Sequence, residues 1–300
     1  MHLGFHWKDT GLIKFAVLLK MMERGQMMKE FESIVIGKSS IPALVITIIL
    51  MVAMTVAFCI YWLLKNKQNT NISYLIAGAV GFIVSARVLE LGVHYFCIIM
   101  DNPVSRFISG STAAYVLYGV TMAGVFEECG RHIVLKYIMK KNRTRENAVL
   151  YGIGHGGIEI LGVILPSIIT CLVVAIMFTS GPLDVALASL NITEETAAAA
   201  LPTVKSAASF GYGMMAMNVI ERLLAMLLHI SLTVIVFYGV VSEEKRYLPL
   251  AIALHMLMDT FAALYQRGAV PLWSVEVWAA FWAVVSVVIA VRLYRKMAER

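Results

Sequence analysis

Charge is what this chain of 300 residues has least of: Asp, Glu, Lys and Arg together make up 15% of it, against roughly 25% in a typical globular protein. Hydrophobic residues supply 60%, where roughly 45–50% is usual, and the mean hydropathy is +0.79. A soluble domain of this size has too little interior to hide so much apolar surface. Length alone would suggest about two domains, and composition overrides it. The shortage of charge excludes a cytosolic enzyme, a nucleic-acid-binding domain and a disordered chain. Paired cysteine is missing as well. Cys59, Cys97, Cys129 and Cys171 stand singly in apolar segments with no C-x-x-C, which excludes a secreted disulfide scaffold and leaves them as small hydrophobes. No cleavable signal peptide is legible, since no apolar core is followed by a small-residue cleavage site. No internal repeat stands out, which argues against a carrier built from inverted repeats.

What is present is a series of long apolar runs. A membrane-spanning helix needs about 20 mostly apolar residues, because in lipid only a helix satisfies its own backbone. Seven segments qualify: 41–64, 72–98, 111–135, 147–178, 212–241, 247–265 and 273–294. The expected fold class is therefore all-α, a polytopic membrane helical bundle of about seven transmembrane helices. Pro166 should kink the fourth, and Ala197 to Ala200 are expected in a loop. The division expected is an N-terminal extension over 1–40, a single membrane domain over 41–294 and a tail over 295–300.

The net charge of +6 and pI near 9.1 read first as topology, because Lys and Arg accumulate on the cytoplasmic side. Residues between the spans alternate in sign content. One side holds Lys65, Lys67, Lys136, Lys140, Lys141, Arg143, Arg145, Lys245, Arg246, Arg292, Arg295, Lys296 and Arg300, and the other only Arg106, Lys205 and Arg267. Thirteen against three places the C-terminus in the cytoplasm and the start of the first span outside. The Asn191-Ile-Thr193 sequon then faces outward. The first 40 residues break the pattern with six basic residues on the outer side. Residues 11–22 can form a surface helix, and the native start is expected at Met27 or Met28.

Within the spans sit Arg87, Glu90, His94, Glu127, Glu128, Arg131, His155, Glu159, Glu221, Arg222, His229, His255 and Asp259. Each charge near the bilayer centre costs about 2.5–3.5 kcal/mol on insertion scales, so these groups must face one another around a polar cavity. Spacing agrees: Glu127 and Arg131, His155 and Glu159, and His255 and Asp259 are i,i+4 pairs, each on one helix face. Depth agrees as well. At 1.5 Å per residue, Glu127 lies roughly 13 Å before Lys136 and His155 roughly 12 Å into its span. His255 lies at a similar depth beyond Arg246, and His229 joins them if its span ends at Gly239, so the site is expected near the inner leaflet, opening toward the cytoplasmic half that carries the basic ends. Gly152, Gly154, Gly156 and Gly157 around His155 permit close approach of a neighbouring helix or ligand.

Imidazoles and carboxylates in a dry pocket suit Zn²⁺, which in catalytic sites takes three protein ligands and leaves a position for water. The metal acidifies that water, and a nearby glutamate can take its proton during attack on a carbonyl. The i+4 carboxylates would orient the histidines or ligate beside them. H-E-x-x-H is absent, so the arrangement is not that of the zincins.

The run Glu127-Glu128-Cys129-Gly130-Arg131, Tyr151-x-x-x-His155 and His255-x-x-x-Asp259 resembles the CAAX-protease and bacteriocin-processing superfamily. Gly-His155-Gly-Gly-Ile-Glu159, Glu221-Arg222 with His229, and the final His-x-x-x-Asp more closely resemble the YhfC family of intramembrane metallopeptidases. The likeness covers roughly 41–294. It implies a glutamate-activated, metal-bound water that hydrolyses a peptide bond at or within the membrane. Glu127 or Glu128 would be the base, and Arg131 would pair with one of them, Glu127 being favoured in both roles. His155, His255, Asp259 and a third histidine, His229, would hold the metal, with Glu159, Glu221 and Arg222 behind them. Arg131 departs from the superfamily's E-E-x-x-x-R spacing by one residue. The implied partners are the lipid bilayer and a membrane-associated peptide or protein substrate, with no nucleic acid.

Plainer readings stand beside this one. Arg131 and Arg222 suit buried ion pairs between helices, and Arg87 with Glu90 suits an i,i+3 salt bridge capped by His94. An ion- or proton-coupled transporter also carries intramembrane Glu, Asp, His and Arg, and a non-catalytic membrane scaffold or immunity-type protein can retain the same cavity.

Overall fold

The computed structural model describes residues 28–193 and 195–299, and all regular structure among them is helical. In order the main helices are α1 (Ser40–Lys65), α2 (Ile72–Ile99), α3 (Pro103–Gly110), α4 (Thr112–Ile133), α5 (Arg145–Ser180), α6 (Leu183–Ser189), α7 (Ala197–Ser209), α8 (Tyr212–Ser242), α9 (Tyr247–Gln266) and α10 (Leu272–Lys296). Among the described residues, α1, α2, α5, α8, α9 and α10 are long and apolar enough to cross a membrane. The protein is thus a polytopic helical bundle. The remaining expected span, 111–135, is helical too, as α4, and three buried charges set it apart from the six. Ala197 to Ala200, expected in a loop, open α7 instead, in keeping with alanine being the best helix former. The surface helix expected over 11–22 lies outside the described residues.

Helix starts carry side-chain caps where the chain re-enters regular structure. Asn71 accepts from Ser73 N at 2.9 Å, Asn102 forms a reciprocal cap with Ser105, and Thr144 accepts from Asn147 N at 3.2 Å. Several hydroxyls inside the spans are satisfied within their own helices: Thr55 donates to Met51 O at 2.9 Å, Ser85 to Gly81 O at 2.8 Å and Thr233 to His229 O at 2.6 Å. Ile76, Val80, Val84 and Val88 recur every fourth residue along α2 and are all exposed. Such a stripe is stable only against lipid.

The chain divides into two compact units. One comprises the described residues up to Ile48 with Ser167–Met215, and the other Ile49–Pro166 with Ala216–Arg300. In the first, Phe31 is buried against Phe178 with ring centroids 6.4 Å apart, and Lys205 pairs with Glu30. The second holds every candidate site residue. Its core is the later part of α8, where Leu228, His229, Leu232, Thr233, Ile235, Phe237 and Tyr238 are all buried. Residues that point outward from a helix and are still buried mark a helix surrounded by others.

Glycine sets the spacing around that core. A Cβ on Gly78 of α2 would lie 2.1 Å from Tyr151 O, and one on Gly154 of α5 would lie 2.0 Å from Leu75 O. The two backbones therefore touch at points that only glycine allows. A Cβ on Gly152 would meet Ile230 Cα of α8 at 2.6 Å. On α4, Gly124 abuts Met256 and Ile252 of α9, and Gly130 abuts Ser85 of α2. His155 and the Glu127–Arg131 segment are thereby wedged against the central helix.

Several helices contain turns that are wider than an α-turn. These lie at Ile83–Glu90 and Tyr95–Ile99 in α2, at Val134–Ile138 after α4, and at Ile160–Ile164 in α5. The last precedes Pro166, whose ring crowds the preceding turn and whose missing N–H removes a helical bond. In α2 the widening changes which side chains align. Glu90 pairs with His94 at 3.2 Å, whereas Arg87, the expected partner, points to the exposed side. Residues three apart diverge in a wide turn while those four apart stay in line.

A buried cluster of carboxylates and histidines

α4 delivers Glu127, Glu128 and Arg131 into the larger unit, all three buried. Arg131 Nη1 donates to both oxygens of Glu128, at 2.9 and 2.8 Å, and its Nη2 donates to His229 Nδ1 at 3.2 Å. The expected i+4 partner of Arg131 was Glu127. The structure pairs it with Glu128 instead, with the guanidinium reaching on to His229 of α8. His255 Nδ1 also donates to Glu128 Oε1, at 2.9 Å, and His255 Nε2 faces Asp259 at 3.4 Å. Glu128 is therefore held on both oxygens with none of its side chain exposed.

Glu127 faces the other way. Its Oε2 accepts from His155 Nε2 at 2.9 Å and lies 3.9 Å from His229 Nδ1. His155 is set by the glycine contacts of α5 and by Phe82, whose ring meets it edge-on with centroids 5.0 Å apart. Its Nδ1 is buried without a partner. His229 accepts Arg131 at Nδ1 and so carries its hydrogen on Nε2, which donates to Glu159 Oε2 at 2.6 Å. Glu159 thus bonds across to α8. The expected His155–Glu159 pairing on one face gives way to an interhelical bond. Arg222 clamps the outer end by donating to Glu159 Oε1 at 2.9 Å and to Glu221 Oε1 at 2.6 Å. A string of contacts thus runs Glu221–Arg222–Glu159–His229–Arg131–Glu128–His255–Asp259, with His155 and Glu127 beside His229.

Glu127, His155 and His229 form a group whose ligand atoms, one from each residue, all lie within 4.8 Å of one another. Two imidazoles and a carboxylate are an N,O donor set suited to a divalent transition metal. At His155 the nitrogen that faces Glu127 is Nε2, so ligation there would exchange its bond to Glu127 for the metal. The residues fit a metal. Both nitrogens of His229 already have partners, so ligation there exchanges one hydrogen bond for the metal. His255 and Asp259, expected as ligands, stand beside the group. The His229 and His255 ring centroids are 5.6 Å apart, with both nitrogens of His255 turned to carboxylates.

A cavity of about 100 Å³ adjoins the cluster, lined by Glu127, Glu159, Glu221, Arg222, His229, His255 and Asp259 with Leu228, Met258 and Val275. Side-chain exposure rises along it from Glu127 at 10% and Glu159 at 20% to Glu221 at 32% and Asp259 at 38%. Access therefore comes from the end where α9 finishes and α10 begins. The sequence placed the opening toward the basic ends carrying Lys136, Arg143 and Arg246. The structure turns it the other way, because Glu221, Asp259 and Val275 each lie on that far side of the cluster. Glu276, near the start of α10, has a buried Oε2 with no partner. It went unnoticed in the sequence, although the rule that singled out the other groups, an ionisable residue inside an apolar run, applies to it equally.

A family model described as YhfC intramembrane metalloprotease matches residues 48–279. The uncharacterized membrane protein YhfC of Bacillus subtilis (strain 168) is 30% identical over 230 residues, covering 77% of this chain and 85% of its own. No solved structure matches the chain.

Proposed function

The chain belongs to the YhfC intramembrane metalloprotease family, and from that membership we propose that it is a zinc-dependent endopeptidase cleaving peptide bonds in or near the membrane. The observation that carries this reading is the buried group of Glu127, His155 and His229 at the end of a polar cavity. His155 and His229, with Glu127 beside them, would hold the zinc. When bound, the metal supplies a Lewis acid and brings the pKa of its water to about 7.

The rest is done by the chain's own residues. Of the two glutamates, Glu127 alone lines the cavity, so its Oε2 is the atom that would take a proton from attacking water. Glu128, sealed and held by Arg131 and His255, keeps the imidazole of His255 and the guanidinium in place. Glu159 orients His229 through Nε2, and Arg222 holds Glu159. The likeness to the CAAX-protease superfamily supports one of the two adjacent glutamates as the base, and the cavity lining selects Glu127. The charge asymmetry supports a cytoplasmic C-terminus. In that orientation the cavity opens toward the outer half of the membrane, and the substrate is a membrane-associated peptide or protein.

The test compares N-terminal peptides of membranes from cells producing the protein or its Glu127→Gln variant. New N-termini within or beside membrane spans are expected only with the unaltered chain. The isosteric variant should lower cleavage by about 10²–10⁴-fold, the contribution of a general base. Identical sets of N-termini from both would count against a hydrolase and for a carrier or scaffold.

A further inference from the structure

A second hollow, of about 420 Å³, lies between α2, α4 and α9 and shares Asp259 and Ala262 with the polar cavity. It adjoins the candidate site at those two residues, and much of its wall is apolar, with Leu91, Ile98 and Val120 among its residues. Leu91 and Ile99 at its rim are exposed on the surface that faces lipid. Two hydrogen-bonded pairs interrupt the apolar wall. His94 Nδ1 and Tyr118 OH are 2.8 Å apart, with Glu90 behind His94 at 3.2 Å, and Tyr115 OH donates to Gln266 Oε1 at 3.0 Å.

We propose that this groove admits the substrate from the bilayer and holds an unwound, apolar membrane-spanning peptide segment with its backbone leading to Asp259. The proposal rests on the peptidase reading above and names its substrate class. The polar pairs decide the occupant. A peptide bond must leave the helix to be hydrolysed, and in hydrocarbon each backbone N–H and C=O it frees needs a partner. Tyr118, His94, Tyr115 and Gln266 can exchange their mutual bonds for such groups, and an acyl chain has no use for them. A groove suited to acyl chains exists elsewhere for contrast: the hollow of about 310 Å³ near Phe58, Val149 and Val287 is almost wholly apolar, and its Ser231 is spent on Leu227 O. The α2 wall also carries two of the wide-turn stretches, at Ile83–Glu90 and Tyr95–Ile99, and such turns recur where helices serve function.

Gly119 faces the groove, and a side chain added there meets nothing within 4 Å. Position 119 therefore has room to begin a side chain and is the site for a photoreactive benzoylphenylalanine, with lipid-exposed Val284 of α10 as the reference position and an unchanged thermal midpoint as the check that the fold is kept. The probe is a synthetic peptide of about 22 residues, long enough to span, of Leu and Ala with a central Gly-Pro break, in phosphatidylcholine vesicles. The expected result is several-fold more capture of this peptide at position 119 than at 284, and more than of an uninterrupted Leu-Ala peptide. Tyr118→Phe should lower capture by about five-fold, the loss of one hydrogen bond. Equal capture at the two positions, or adducts at 119 with lipid alone, would overturn the groove. Zinc content measured on the same samples keeps the two readings apart. Selective capture without zinc removes the peptidase and leaves the groove, whereas zinc with unselective capture does the reverse.

Discussion

Arg131 is the side chain on which the cluster turns, since one guanidinium holds both oxygens of Glu128 and the Nδ1 of His229. Removing one partner of a buried ion pair leaves the other charge uncompensated, at a cost of about 3–5 kcal/mol. Arg131→Met should therefore lower the thermal unfolding midpoint strongly. The double variant Arg131→Met with Glu128→Gln should recover much of that loss, because it leaves no bare charge behind. Calorimetry or light scattering in detergent reads both, and an additive double variant would contradict the pairing. Residue identities at this scale were legible from the sequence: every ionisable residue singled out for the site is found in or beside one buried network. Their partners were less so. Helical spacing alone allows Arg131 to meet either glutamate and allows Glu159 to stay with His155, and neighbouring helices decided against both local choices. His229 draws Arg131 over Glu128 and takes Glu159 for itself.

At the scale of helices, the position of His155 is fixed by how closely α5 approaches α2 and α8. Gly154→Ala would drive a methyl to 2.0 Å from Leu75 O and Gly78→Ala one to 2.1 Å from Tyr151 O, both immovable backbone atoms. Each should destabilise by about 1–3 kcal/mol as overpacking does, and each should weaken zinc binding, because α5 must move and His155 moves with it. Gly92→Ala, where a methyl meets nothing within 4 Å, is the matched substitution expected to change neither. Zinc titration followed by thermal shift separates these outcomes, since a ligand stabilises in proportion to its affinity for the folded state. The glycine run around His155 advertised a close approach in the sequence. The wide turns of α2 and α5 did not, because they follow from how the helices pack, and hydrophobic periodicity carries little trace of them.

For the whole molecule, composition was enough to establish a polytopic helical membrane protein, since 60% hydrophobic residues in long runs leave no other fold. The direction of the cavity was not readable, because depth along each helix says how far a residue lies from an end but not which way the helices part. A reporter that is active only in the cytoplasm, fused after Arg300, should be active, as thirteen basic residues on that side require. An inactive reporter would reverse the orientation and with it the side on which the cavity opens. The central claim is that His155 and His229, with Glu127 beside them, hold a metal, and elemental analysis of detergent-purified, metal-replete protein tests it most directly. Stoichiometric zinc in the unaltered chain, lost in His155→Ala and His229→Ala but kept in Glu128→Gln, is the predicted result. Absence of stoichiometric metal, or retention of it in both histidine variants, would contradict it.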